Sequence, residues 1–232
     1  MKLAIMQPYF FPYIGYFQLI ESADLFIVYD NIKYTKKGWI NRNRILKDGK
    51  KALVSVPLKS NSNYLDVRDR KLSEDFRRTK LVNQIKGAYQ SAPNFLQVFP
   101  MVEKTILNDE FNLFRFLLNT IVNVCEYLKI TTEITISSSI SIDHTLKSQN
   151  KVIALCREVG ATIYINPVGG RELYSKNFFQ SEGIKLKFIE PYPFYYDQFE
   201  NEFVPWLSII DVMMFNSVGV IREYLVSKWK YR

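Results

Sequence analysis

The amino-acid sequence predicts an α/β fold: a Rossmann-like, mostly parallel sheet flanked by helices, with a helical insertion around residues 73–129. Three observations predict it. The chain opens with two short apolar runs separated by a Pro-rich loop and a helical stretch. A long block at helical spacing follows, and from Ile134 onward β-branched runs again alternate with amphipathic stretches.

Leu3-Ala4-Ile5-Met6 reads as the first strand, Ile14 to Glu21 as a helix, and Leu25 to Tyr29, ending at Asp30, as the second strand. Strand, loop, helix, strand is a βαβ unit, and such units bind ligands beyond the carboxyl ends of their strands. Gln7 to Phe11 and Asp30 to Tyr34 are therefore expected near each other at one sheet edge. Lys33 to Lys51 is polar and basic. Ala52 to Pro57 alternates like a third strand, with Pro57 suiting an edge, and 59–70 is a polar loop.

From Ser73 to Lys129 the spacing predicts about three helices, broken at Pro93 and Pro100. Ile134 to Ser138 and Ala161 to Ile165 read as strands around an amphipathic stretch, Val152 to Val159, that ends at Gly160. Ile184 to Ile189 is a further strand, and 208–216 and 220–229 are closing helices. With 232 residues and 47% hydrophobic content, one substantial core and a single domain are expected.

Composition narrows the function classes. No apolar run is long enough to span a membrane and no signal peptide is recognisable, so a cytoplasmic protein is expected. Cys125 and Cys156 have no CxxC or Cys/His neighbour, which excludes zinc and disulfide frameworks. The net charge of +8 favours an anionic partner such as a phosphate, a nucleotide-sugar, RNA or a membrane surface.

Two N-terminal stretches carry the chemistry. Met6 to Phe17 sets two prolines, a glycine and six aromatics between strand and helix, a stiff loop that presents Gln7 and a helix start suited to an anion. Lys36 to Arg44 surrounds Trp39 with Asn41, Arg42, Asn43 and Arg44, giving bidentate cations, amides and a ring face. Later, Asn166 to Tyr174 follows a strand, and its Gly169-Gly170 pair with Arg171 allows close approach of backbone to a ligand. It is neither a GxGxxG fingerprint nor a P-loop. His144 is the sole histidine and hence the sole candidate histidine base. Asp30 at a strand end and Asp211 inside an apolar run are each either a base of raised pKa or a salt-bridged core acid.

The stretches MQPYFFPYIGYFQLI, ADLFIVYDNIKYTKKGWINRNRIL, GATIYINPVGGRELY and YYDQFENEFVPWLSIIDVMMFN together resemble the WbqC-like family. That resemblance implies a bacterial protein of O-antigen, lipopolysaccharide or capsule sugar biosynthesis. It implies a transferase that acylates, with glycine foremost, the amino group of a nucleotide-linked deoxyamino sugar. The family's motif falls on Gln7, Pro8, Tyr9, Pro12, Gly15 and Tyr16, then Asp30, Trp39, Asn41, Arg42 and Asn43, and later Gly170, Tyr174, Gln198, Pro205, Ser208 and Asp211. Asn166-Pro167 stands where a Ser-Gly pair is expected.

On this reading Asp30 or Asp211 is the base, with His144 the alternative, and Gln7, Asn41 or Asn43 helps bind the oxyanion. Arg42, Arg44 and Arg171 hold phosphates, while Trp39 and Tyr16 pack on sugar or base. Pro8, Tyr9, Tyr34, Gly170, Tyr174, Gln198 and Ser208 complete the substrate site. No metal or cofactor is expected. The acyl donor is an aminoacyl-tRNA or an acyl-CoA, and the alternative is a non-catalytic module that binds a nucleotide-sugar or RNA. A strand, aromatic loop and helix near Gly15 also suggest a HIGH-type nucleotidyltransferase, but the histidines of that motif are missing.

Overall fold

The computed structural model describes residues 1–60, 64–200 and 202–232. Part of the loop expected at 59–70, and residue 201 of the last family stretch, lie outside the described residues. In chain order the elements are β1 (Lys2–Met6), α1 (Ile14–Glu21), β2 (Leu25–Val28), β3 (Arg42–Lys47), β4 (Lys50–Ser55), α2 (Arg78–Tyr89), α3 (Phe95–Leu107), α4 (Leu113–Tyr127), β5 (Glu133–Ile136), α5 (Ser148–Glu158), β6 (Ile163–Pro167), α6 (Lys176–Ser181), β7 (Lys185–Pro191), α7 (Ile209–Phe215), α8 (Val218–Ser227) and β8 (Trp229–Tyr231).

Six strands form one sheet in the order β5-β2-β1-β6-β7-β8, parallel except for β8, which runs antiparallel to β7. Helices cover both faces, which is why β2 reads Leu-Phe-Ile-Val without a polar residue. Strand alternation divides the core accordingly. Ala4, Phe26 and Val28 join α1, the helical insertion, α7 and α8 on one face. Leu3, Ile5, Leu25 and Ile27 meet α5 and α6 on the other. No helix among the described residues is long and apolar enough to cross a membrane.

Three local expectations are corrected. The strand expected at 52–57 pairs not with the main sheet but with β3, a strand inside the basic stretch, in a separate two-stranded hairpin. Its turn is Asp48-Gly49, at φ 50° and 70°, the positive values that a tight right-twisting hairpin requires. Pro100 does not end a helix; it lies inside α3, and the break falls beyond Leu107. A proline in a helix interior costs about 3 kcal/mol, but burying Val98, Phe99, Val102 and Ile106 on one face returns roughly 1.5–3 kcal/mol each. Finally, Trp229 belongs not to the last helix but to β8, an added edge strand.

Candidate functional site in the β1/β6 crevice

From β1 the chain crosses over to β2 and then β5 on one side, and then returns to place β6 on the other side of β1. The strand order therefore reverses between β1 and β6, and right-handed crossovers leave a crevice beyond their carboxyl ends. Two cavities open there, of about 540 and 360 Å³, and both are lined by Met6, Tyr9 and Pro167, the residues that end or follow these two strands. Each lies in the range of small-ligand sites.

The loop after β1 forms the shared wall and is held from three directions. Phe11 sits at φ 40°, a left-handed conformation that costs a non-glycine residue of order 1 kcal/mol or more. Buried Asn43 of β3 donates through Nδ2 to the Phe10 and Phe11 carbonyls at 3.0 and 2.7 Å. Ser208, which caps α7, donates Oγ to the Phe11 carbonyl at 2.7 Å, and the Ile209 N–H donates to the Pro12 carbonyl at 2.9 Å. The rings of Phe10 and Phe11 are fully buried beneath. Hairpin, loop and α7 thus form one support, which over-determines the strained residue.

Within this loop, Gln7 Nε2 donates to Tyr9 Oη at 2.7 Å, and Tyr16 Oη donates to the Gln7 carbonyl at 3.2 Å. Burial pushes the Tyr9 hydroxyl above its ordinary pKa, so it stays protonated at neutral pH. It accepts from Gln7 and donates to no protein acceptor among the described residues. A polarised O–H is left for whatever occupies the two cavities that Tyr9 lines.

The larger cavity is aromatic. Tyr9, Tyr13, Tyr16, Trp39 and Trp206 line it together with a single cation, Arg44. The Arg44 guanidinium lies 4.6 Å from the Trp39 ring centroid and has no ion pair among the described residues. Trp206, 64% exposed and 5.1 Å from the Tyr13 ring, faces it across the opening. Edge-on and tilted rings with one guanidinium suit a flat base or a sugar face.

The smaller cavity sets the polar groups of Gln7, Tyr29, Asn166 and Tyr174 and the Gly169-Gly170 backbone among apolar Ile5, Ile32, Val152 and Leu173. A Cβ on Gly170 would lie 2.2 Å from Asn166 Nδ2, so only glycine lets that amide keep its place. Asn166 is buried, and its Nδ2 finds only the Pro167 carbonyl, at 3.3 Å. Burial holds the Tyr174 hydroxyl above its usual value and pushes Tyr29 up to about 12. The amides and hydroxyls offer hydrogen bonds to a ring's hydroxyl groups, and the apolar side chains offer a surface to its face.

The sequence profile of the WbqC-like protein family matches residues 7–223. The chain belongs to that family. It is also similar to the uncharacterized protein Rv1507c of Mycobacterium tuberculosis (strain ATCC 25618 / H37Rv), with 26% identity over 228 residues and 97% of each chain covered. No solved structure gives a significant match.

The structure distributes the site residues expected from the sequence between the crevice and its supports. Gln7, Tyr9, Tyr16, Trp39, Asn43, Arg44, Gly170 and Tyr174 line one or both cavities. Ser208 supports the loop, and Pro8 is buried at its start. Asn41 spans Tyr34 Oη at 2.8 Å and the Val56 carbonyl at 2.7 Å. Arg42 donates to the Gly38 and Lys36 carbonyls, shaping the turn that carries Trp39. Arg171 is exposed beside the glycine pair.

The proposed bases stand apart from both cavities. Asp30 is buried, and its carboxylate accepts from Ser137 Oγ, the Ser138 N–H and Ser138 Oγ at 2.7, 3.0 and 2.6 Å. His144 receives Asn31 Nδ2 on Nδ1 at 2.9 Å and donates Nε2–H to the Ile140 carbonyl at 3.0 Å, so both nitrogens are engaged. Asp211 is fully buried; its carboxylate accepts from Tyr89 Oη at 2.8 Å, Tyr196 Oη at 2.6 Å and Gln198 Nε2 at 2.7 Å. Among the described residues no Asp, Glu or His lines either cavity.

Sequence reading missed Tyr13, Tyr29, Asn166 and Trp206. The signal for Trp206 was a tryptophan after a proline in a family stretch. For Asn166 it was the polar residue at the carboxyl end of a strand.

Proposed function

We propose that this protein transfers an acyl group, glycyl foremost, to the amine of a nucleotide-linked amino-deoxy sugar in O-antigen or capsule biosynthesis. The observation that supports this reading is the pair of cavities that share Tyr9, one carrying amides and hydroxyls on an apolar wall and one lined by aromatic rings with Arg44. The amino sugar occupies the smaller cavity, with its diphosphate over the Gly169-Gly170-Arg171 turn, and the donor's base stacks in the aromatic one. The amine nitrogen attacks the acyl carbonyl carbon, a C–N bond forms, and the bond to the donor's oxygen or sulfur breaks. Tyr9 Oη, with Asn166 Nδ2 lining the same smaller cavity, donates to the oxyanion.

The test is mass-spectrometric detection of a new amide when purified protein meets a dTDP-linked amino-deoxyhexose and an activated glycyl donor. Failure of every donor to give an adduct would sink the transferase reading. One observation favours the alternative, a non-catalytic nucleotide-sugar binder: among the described residues no carboxylate or imidazole lines the cavities. Protection of the protein by the sugar nucleotide against thermal unfolding, without turnover, would support it.

The same observation sets an expected pH dependence. With no carboxylate or imidazole lining either cavity among the described residues, kcat/KM rises with pH along the titration of the substrate amine and shifts when the amine's pKa is altered. A limb that ignores the substrate would instead implicate a titrating group of the protein. Gly170→Ala provides a binding test. It displaces the Asn166 amide, a side-chain movement costing within about 1 kcal/mol of stability, so sugar-nucleotide protection falls while the unliganded Tm barely moves.

A further inference from the structure

We infer that the β3–β4 hairpin and the α2 helix packed on it form an RNA-docking face beside the cleft, which delivers the acyl group as an aminoacyl ester of an RNA 3′ end. The inference rests on the transferase reading and selects its donor. It begins with how unevenly the charge is spread. Residues 33–86 hold 16 of the 31 Lys and Arg but only five of the 23 Asp and Glu, so the remainder of a chain of net charge +8 is slightly acidic. Between 33 and 56 there are eight cations and one acid.

These cations are free to meet a polyanion. Lys36, Lys37, Lys47, Lys50, Lys51 and Lys86 are exposed and form no ion pair among the described residues. The Leu46 N–H donates to Tyr89 Oη at 2.8 Å, which fixes the end of α2, one turn beyond Lys86, to β3. Along β3 the hairpin turn begins four residues past Arg44, about 13 Å in an extended strand. Arg44 and Trp39 in turn wall the aromatic cavity. The basic hairpin therefore runs from its lysine-rich tip to the cavity's edge.

The chemistry of the two cavities selects among donors. In an aminoacyl ester the acyl group hangs on the ribose that carries the terminal base, so base and carbonyl lie close together. A thioester of coenzyme A separates its adenine from the acyl group by the whole pantetheine arm. Here the aromatic cavity and the smaller cavity share Met6, Tyr9 and Pro167, which matches the short spacing of the ester. Attack by the sugar amine breaks the ester C–O bond, and the released ribose oxygen takes the amine's proton as the RNA 3′ hydroxyl. A membrane surface fits less well, because inserting helices carry an apolar face beside their cations. The exposed apolar side chains near this hairpin are Leu53 and Trp39, and Trp39 is stacked by Arg44. Rings with adjacent cations are what single-stranded RNA uses.

Fluorescence anisotropy with labelled tRNA, and with a single-stranded RNA ending in CCA, tests this from about 50 to 200 mM salt. The full-length protein is compared with a triple variant, Lys47→Gln, Lys50→Gln and Lys51→Gln. All three side chains are exposed, and the cavities retain every lining residue. The variant is expected to bind RNA about tenfold more weakly, with the log–log salt slope reduced by roughly 2–3. Thermal protection by dTDP-linked amino-deoxyhexose should be equal in both proteins, which checks the sugar site independently. Equal RNA affinity in the two proteins, or no saturable RNA binding by the wild type, overturns the inference. So does retention on phosphatidylserine vesicles without RNA binding.

Discussion

Replacing Asp211 by alanine is expected to cost about 3–5 kcal/mol, the loss associated with removing one partner from a buried charged network. The carboxylate is fully buried and receives two tyrosine hydroxyls and the Gln198 amide, from α2, the segment after β7 and a turn near Val204. Alanine removes the acceptor of the Tyr89 and Tyr196 hydroxyls, leaves Gln198 Nε2 with only the Val204 carbonyl and Tyr196 Oη among the described residues, and opens a void between α7 and α2. For a chain of this size a loss of that order lowers Tm by roughly 10 °C, measurable by calorimetry or chemical denaturation. A shift below about 1 kcal/mol would show that water or a rearranged side chain satisfies these donors.

The pH dependence adds a second reading of the same residue. Burial is the largest influence on the Asp211 carboxyl and raises its pKa, while the three donors partly oppose it. A raised folded value means that the native state holds the proton more tightly than the unfolded chain. Stability from this group is then fully present below the unfolded value of about 3.9 and declines as pH rises through the folded one. The gap between wild type and Asp211→Ala should therefore widen as the pH is lowered from 7 towards 4. A gap that narrows would mean the ionised form is the one the network prefers.

Asp211 also shows what sequence reading reaches and where it stops. An acid within Leu207 to Met213 must have partners, and that was legible. Its partners were not, because Tyr89 lies 122 residues away in sequence and no periodicity joins the two. The first βαβ unit was legible because β1 and β2 are buried on both faces and read as unbroken apolar runs. The hairpin was not, because Arg42, Arg44 and Lys47 break up the apolar pattern around buried Ile45 and Leu46, although Asp48-Gly49 marked its turn. The motif asparagines were assigned to ligand binding by residue type. In the fold Asn41 and Asn43 spend their amides on backbone carbonyls, and the cleft is faced by the tyrosines that this bonding positions.

Tyr9→Phe isolates the group on which the proposed chemistry depends. Tyr9 is shared by both cavities, its hydroxyl is polarised by Gln7 and lacks a protein acceptor among the described residues, and its ring packs edge-on against Tyr16 at 5.8 Å. Phenylalanine keeps that ring packing and removes one hydroxyl, leaving Gln7 Nε2 without its acceptor at a cost of about 1 kcal/mol. If Tyr9 donates to the oxyanion, the interaction strengthens as the carbonyl becomes tetrahedral, so kcat should fall by about 10²–10³ while KM changes little. If the hydroxyl only holds the ground-state sugar, KM rises and kcat stands. A Tyr9→Phe protein with both constants unchanged would place the reacting carbonyl elsewhere, and would leave the crevice as a binding site whose chemistry is done by another protein.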